Sequence, residues 1–372
     1  MTIKRRDFIG ALAGASAVTA LSACGEQSSQ TTAQTNASEA PAAPIEWKMV
    51  TTWPKNFPGL GTGANRVAEL INTMSGGRIQ VKVYGAGEMV SAFEVFDAVS
   101  RGNAQLGHAG AYYWKGKIPA APFFSSVPFG LTPSEMNSWL YHGGGLALWE
   151  EAYAPFNLIP NPAGNAGTQM GGWFNKEINT LEDMKGLKMR IPGLGGEVFE
   201  RVGGIPVSLP GGEIFPSMQS GALDATEWVG PYNDLAFGLY KAAKYYYTPG
   251  WHEPGTSMEC MINADAFQAL PDDLQSIVRN AMKVVTLEML SEYTAQNQRA
   301  LQTLVDEHGV ELRHFPDSVL RELKAVSSEV VEALAASDPL AGRVWASQKA
   351  FTDQVTRWTN QSEYAYMRAR NL

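Results

Sequence analysis

The sequence predicts an α/β fold long enough for two domains, and three observations carry that prediction. Residues 46–108 alternate strand and helix patterns in the order β-α-β-α-β, which argues for a parallel sheet with helices on its faces. Two more βα units lie between Gly186 and Asp234: KMRIPG with a helix, then IPVSLPGGE with a helix, closing on LDATEW. Lastly, the stretch opened by Pro271-Asp272-Asp273 reads as one helix as far as His308. Unbroken, it would measure about 57 Å, longer than one small lobe, so it is expected to brace two. The 372 residues suffice for two domains with real cores.

Taken in order, Glu46 to Thr52 forms the first strand, and Trp53-Pro54 turns it into a loop. Val67, Leu70, Ile71 and Met74 recur at helical spacing, and Ser75-Gly76-Gly77 stops that helix. Ile79, Val81 and Val83 alternate as a strand. Ser91 to Ser100 forms a helix ended by Gly102, and Ala104 to His108 a short buried strand. The following stretch, AGAYYWKGKIPAAPFFSSVPFGLTP, has too many prolines for a regular helix. It either crosses a core or lines a cleft with Tyr112, Tyr113 and Phe123.

Ser134 to Ala152 reads as one amphipathic helix, Thr168 to Phe174 as a strand, and Leu181 to Lys185 as a short helix. Ala243 to Tyr247 is a strand that leads into the turn PGWHEPG, and SMECMIN is strand-like. Val310 to Arg313 gives the last strand. Asp317 to Ala335 and Leu340 to Arg368 give the closing helices.

The N-terminus is a targeting segment. Lys4-Arg5-Arg6-Asp7-Phe8-Ile9 precedes the apolar run Gly10 to Leu21, which is too short to span a bilayer. RR-x-F-I resembles a twin-arginine export signal, and Leu21-Ser22-Ala23-Cys24 resembles the lipobox of bacterial lipoproteins. The resemblance implies cleavage after residue 23, a lipid on Cys24 and a chain two charges more acidic. The alternative is plain export of a soluble chain with an incidental cysteine. Residues 24–44 lack large apolar side chains and form a flexible tether. Cys260 then has no intrachain partner and reads as a small buried hydrophobe.

Composition and motifs exclude several classes. The formal charge is -8, with no Lys/Arg stripe and no zinc-knuckle spacing, so nothing points to nucleic acid. The five histidines show no metal-ligand spacing. No G-x-G-x-x-G and no P-loop is present. His142-Gly143-Gly144-Gly145 is no oxyanion loop, because the chain has no G-x-S-x-G. Asp272-Asp273 caps a helix rather than forming an acid–base pair.

One constellation remains. Arg190 stands at a strand end between Met189 and Ile191-Pro192, and Glu227 stands at another beside Trp228. Crevices outside strand ends are where open α/β sheets bind ligands. A guanidinium there suits a small carboxylate through paired charge-assisted hydrogen bonds. The plain alternative is a surface arginine paired with a nearby acid.

MRIPG followed by GALDATEW resembles the solute-binding subunits of tripartite ATP-independent periplasmic (TRAP) transporters. GTQMGGWF before it and YYYTPGWHEPG after it narrow the resemblance to the branch that binds 2-oxo acids or lactate with a metal ion. The resemblance implies a periplasmic-binding-protein-like fold of two α/β lobes joined by a hinge. Residues 45–166 would form lobe I and 167–252 lobe II. Residues 253–338 would return through both with the spanning helix, and 339–372 would form a C-terminal helix.

Carried over residue by residue, Arg190 would clamp the ligand carboxylate. Gln169, Glu227 and the carbonyl of Trp228 would hold Na⁺ or Ca²⁺, a hard cation matched to oxygen donors. The cation would offset the repulsion between Glu227 and an anionic ligand. Tyr112, Tyr113 and Trp173 are wall candidates that would serve equally as core, and Glu253 is a further candidate in a turn of a kind that often exposes its acids. The resemblance further implies a periplasmic receptor, not an enzyme, serving the membrane subunits of a TRAP transporter; the lipobox and tether depart from a simple periplasmic member and would anchor this chain to the membrane. Tethering would raise its effective concentration there, and the apolar last helix would allow a homodimer. The competing reading is an exported metal-dependent hydrolase or lyase acting on a small organic acid through Glu227.

Overall fold

The computed structural model describes residues 43–372; the export segment, Cys24 and the tether as far as residue 42 lie outside the described residues. In chain order the elements are β1 (Ile45–Thr51), α1 (Leu60–Met74), β2 (Ile79–Tyr84), α2 (Val95–Ser100), β3 (Leu106–Ala109), α3 (Pro133–His142), α4 (Gly145–Tyr153) and β4 (Leu158–Asn165). There follow β5 (Gly172–Phe174), β6 (Lys188–Arg190), α5 (Gly193–Arg201), β7 (Ile205–Val207), α6 (Gly211–Gln219), β8 (Ala225–Thr226), α7 (Pro231–Phe237) and β9 (Tyr245–Thr248). The chain closes with β10 (Ser257–Asn263), α8 (Ala264–Gln268), α9 (Asp272–Asp306), β11 (Glu311–His314), α10 (Asp317–Ser337), α11 (Pro339–Gln361) and α12 (Glu363–Arg370).

Two sheets result, ordered β2-β1-β3-β10-β4 and β11-β9-β5-β8-β6-β7. In the first, β1 pairs parallel with β2 and β3, as the alternating pattern predicts. β10 then enters antiparallel between β3 and β4, so the sheet is mixed rather than wholly parallel. In the second, β6 lies parallel between β7 and β8, while β5 runs antiparallel to β8 and β9. The backbone therefore passes from the first sheet to the second at residues 166–171 and returns at 249–256. These two crossings carry Gln169, His252 and Glu253.

The 35-residue α9 is the long brace that the sequence predicts. Leu274, Val278, Ala281, Met282, Val285, Met289 and Tyr293 recur every three or four residues and are buried. That stripe packs on α1 and β4 beside the first sheet, and on α7, which follows the second sheet's β8.

Several elements differ from the sequence reading. Ser134 to Ala152 is two helices, because Gly144 takes φ +87°, a left-handed conformation that ends α3 and starts α4 at a new angle. The last helix breaks at Ser362 into α11 and α12. Ser91 to Ser100 begins as a 3₁₀ turn closed by a reciprocal Ser91/Glu94 cap. β4 was not anticipated, since Pro160 and Pro162 argue against a strand; it is tolerated as the edge of its sheet. Only Gly172 to Phe174 of the expected Thr168 to Phe174 strand joins a ladder, because Gln169 and Met170 before it bond to loops instead.

Candidate functional site

Those loop bonds build the site. Gln169 N–H donates to the Glu253 carbonyl at 3.2 Å, Gly250 N–H donates to the Gln169 carbonyl at 3.0 Å, and Met170 N–H donates to the Val229 carbonyl at 3.1 Å. The two crossings and the segment after β8 are thus sewn together. Beside them, Arg190 ends β6 and Glu227 follows β8, neighbouring parallel strands in which Arg190 is level with Thr226. Both residues stand at strand carboxyl ends, where such sheets take ligands. Gly193 turns the chain from β6 into α5 at φ +63°, and a Cβ there would lie 3.3 Å from Tyr112. That close approach brings the aromatic stretch from the first sheet's side against the β6 end.

Arg190 and Glu227 are each 1% exposed and form an ion pair through Nη1 and Oε1. Nη1 also donates to the Glu227 carbonyl at 3.2 Å, and Nε to the Leu209 carbonyl at 3.2 Å. Nη2 donates to the Tyr113 hydroxyl at 3.3 Å. The guanidinium stacks over Trp228, its carbon 4.9 Å from the ring centre. Burial alone would lower the arginine's pKa; Glu227, with Tyr113, Tyr112 and Glu253 adding to it, outweighs burial and raises it.

Glu253 is also buried and accepts from Gln169 Nε2 at 2.7 Å and Thr256 Oγ1 at 2.8 Å. The turn does not expose its acid. Burial first, and the Glu227 charge second, push its carboxyl up to about 7. His252 places Nε2 3.3 Å from the other oxygen of Glu227. Ligand atoms of Glu227, His252 and Glu253 all lie within 4.8 Å of one another.

Tyr112 and Tyr113 meet edge to face at 4.6 Å, and burial raises both phenols, so they remain protonated hydrogen-bonding groups. Of the sequence candidates, Arg190, Glu227, Trp228, Gln169, Glu253, Tyr112 and Tyr113 converge. Trp173 is placed otherwise. Its fully buried indole stacks on Tyr246 at 4.0 Å and donates to Asp234 at 2.9 Å, within the second sheet's packing. His252 was missed by the sequence reading, which searched histidines for metal spacing, and so was Trp53, whose ring lies against both Tyr113 and Trp228.

The donor set fits a hard cation. The Gln169 Oε1 is buried and has no hydrogen-bond partner among the described residues, although its Nε2 is bonded to Glu253. A carboxyl pair and an amide oxygen, hard donors without a thiolate among them, match Na⁺ or Ca²⁺ and not a soft metal.

Comparison with known proteins is in agreement. The bacterial extracellular solute-binding protein family 7 matches residues 49–338, and the chain belongs to that family, the solute receptors of TRAP transporters. The monocarboxylate 2-oxoacid-binding periplasmic protein of Nostoc sp. is 42% identical over 98% of both chains. A TRAP solute-binding protein from Pseudoalteromonas atlantica, solved with sodium and pyruvate, is 40% identical with TM-score 0.85, over 88% of this chain and 99% of its own. Another from Colwellia psychrerythraea, solved with calcium and pyruvate, gives 40% and 0.85 over 88% of this chain and 100% of its own. The protein is an extracytoplasmic receptor of a transport family.

Proposed function

We propose that this chain captures a small monocarboxylate, a 2-oxo acid such as pyruvate or else lactate, together with Na⁺ or Ca²⁺. The carrying observation is one buried cluster holding a guanidinium, two carboxyls and an orphaned amide oxygen. Arg190 supplies one positive charge against Glu227, so an anionic ligand beside them needs a cation to balance it. Because Nη1 and Nε are already bonded, Nη2 and the Tyr113 hydroxyl form the edge that meets the ligand carboxylate. Gln169 Oε1, Glu227 and the Trp228 carbonyl would hold the cation, and Tyr112 would close the wall. The bound cation would supply charge compensation and take the ligand's 2-oxo or 2-hydroxy oxygen.

The receptor works by binding and release, without chemistry on the ligand, through closure of residues 45–166 and 167–252 about the crossings. It hands its ligand to TRAP membrane subunits. Lipidation at Cys24 and a homodimer through α12, whose Tyr364 and Tyr366 are exposed, belong to the same proposal. The test is calorimetric titration of chelator-treated protein with pyruvate or lactate, with and without each cation. Cation-dependent binding with the ligand recovered unaltered supports the reading; cation-independent or absent binding of both acids refutes it. Light scattering and mass spectrometry of membrane-extracted protein decide the dimer and the lipid.

A further inference from the structure

Trp53 follows β1 of the first sheet and is 1% exposed, whereas Arg190 ends β6 of the second. Its ring meets Trp228 edge to face at 6.1 Å and Tyr113 at 6.3 Å. These are the two aromatic residues that touch the Arg190 guanidinium, one under its face and one at Nη2. Trp53 is therefore the common support of both, reaching across from the first sheet to a site built on the second.

The orientation of Trp53 is itself fixed. Its Nε1–H donates to His108 Nδ1 at 2.8 Å, and the other ring nitrogen of His108 lies 3.0 Å from the Ala163 carbonyl on β4 of the same sheet. A carbonyl only accepts, so Nε2 carries the proton; an indole N–H only donates, so Nδ1 is bare. Both nitrogens are satisfied by the neutral ring alone. Burial agrees, pushing His108 down to about 4. Among the described residues no other partner is offered to the indole N–H, and a carbon side chain at position 108 would leave it buried without an acceptor.

We infer that His108 and Trp53 form a positioning relay: His108 fixes the indole of Trp53, and Trp53 holds Trp228 and Tyr113 in the geometry that presents Arg190 to its ligand. Trp53 meets Trp228 through its ring. The inference rests on the ligand reading above for its affinity arm, and on nothing but the apoprotein for its second arm.

The experiment compares wild type with Trp53→Phe, His108→Leu and His108→Gln. Glutamine offers both an acceptor and a donor, so it is the conservative exchange. Calorimetry with pyruvate and Ca²⁺, at a temperature where circular dichroism shows every variant folded, should give Kd raised about tenfold for Trp53→Phe and His108→Leu. His108→Gln should stay within about threefold of wild type. In ligand-free protein labelled with 5-fluorotryptophan, the Trp228 resonance should move in Trp53→Phe and His108→Leu and return towards its wild-type position in His108→Gln. Wild-type affinity in Trp53→Phe, or a glutamine variant as weak as the leucine one, overturns the relay. If wild type binds neither acid, the ligand reading fails on its own. The fluorine spectra then decide the relay, an unmoved Trp228 resonance refuting it. Should His108→Leu not fold, Trp53→Phe against wild type carries the same decision.

Discussion

Glu259 on the first sheet and Glu227 with Glu253 at the end of the second are all buried carboxyls, yet their surroundings differ in kind. Glu259 is fully buried, and its two oxygens accept from two neutral donors, the indole of Trp114 and the hydroxyl of Tyr153. Nothing is left over, and the group is closed. Around Glu227 and Glu253 the inventory does not close: two acids face one guanidinium, while Gln169 Oε1 and His252 Nδ1 have no partner among the described residues. Burial of charge is common to both places. What marks the second as a site is polar capacity that the protein does not satisfy for itself.

Breaking the open cluster should have the largest effect. Arg190→Ala leaves Glu227 buried with no cationic arginine, so it should cost about 3–5 kcal/mol of stability in chemical denaturation. It should also abolish the thermal shift given by ligand and cation. If Arg190→Ala keeps that shift, the carboxylate is held elsewhere and the comparison loses its second half.

Glu259 sharpens the contrast from the other side. Burial raises its carboxyl from an ordinary 4.5 up to about 7. A raised folded-state pKa contributes stability that is complete below pH 4.5 and is lost as pH rises through about 7. Across that window the loss is on the order of 3 kcal/mol. Glu259→Gln keeps an acceptor for one neighbour and a donor for the other, so its melting temperature should fall less steeply between pH 5 and 8. Its ligand affinity should match wild type. A parallel pH slope in both proteins would show that Glu259 does not titrate there.

The same distinction explains what the sequence made legible. The pairing of position 190 with position 227 was readable because both follow short β segments in a repeated βα pattern. Strand ends in parallel register meet whatever the loops do. The long brace was readable from one uninterrupted apolar stripe. Glu253 and His252 were read poorly because a Pro/Gly turn usually faces water, whereas this turn is a crossing pinned between two sheets by the Gln169 backbone. Trp53 was invisible as a site residue because its relevance comes from a partner 175 positions away, Trp228, and no local pattern encodes that contact. β4 was hidden by prolines that only an edge strand accepts.

Gln169 probes the capacity that is left open. Gln169→Leu removes the unpartnered Oε1 and also the donor to Glu253, without altering any formal charge. A lost oxygen ligand to a cation should weaken cation-dependent binding about tenfold, on the scale of hydrogen bonds to charged groups. Titrating Ca²⁺ at saturating pyruvate measures it. An unchanged cation affinity would mean that the amide serves only to hold Glu253, and the orphaned oxygen would then mark no ligand.

The smallest effect should come from Trp173, and it decides on which side of the comparison that residue belongs. Its indole N–H is one of three donors to Asp234, with Tyr246 Oη at 2.6 Å and Val229 N–H at 3.4 Å. Burial already pushes Asp234 up to about 7. Trp173→Phe keeps most of the stacking on Tyr246 and deletes one donor, which should cost about 1–2 kcal/mol in denaturant titration. With Tyr246 and Val229 still in place, the segment leading into Trp228 and Val229 stays anchored, so Kd for pyruvate and Ca²⁺ should stay within about twofold, under 0.5 kcal/mol. A wall residue would behave in the opposite way, with affinity falling while stability held. Measuring both on one sample separates a tryptophan that packs the sheet beneath the site from one that faces the ligand.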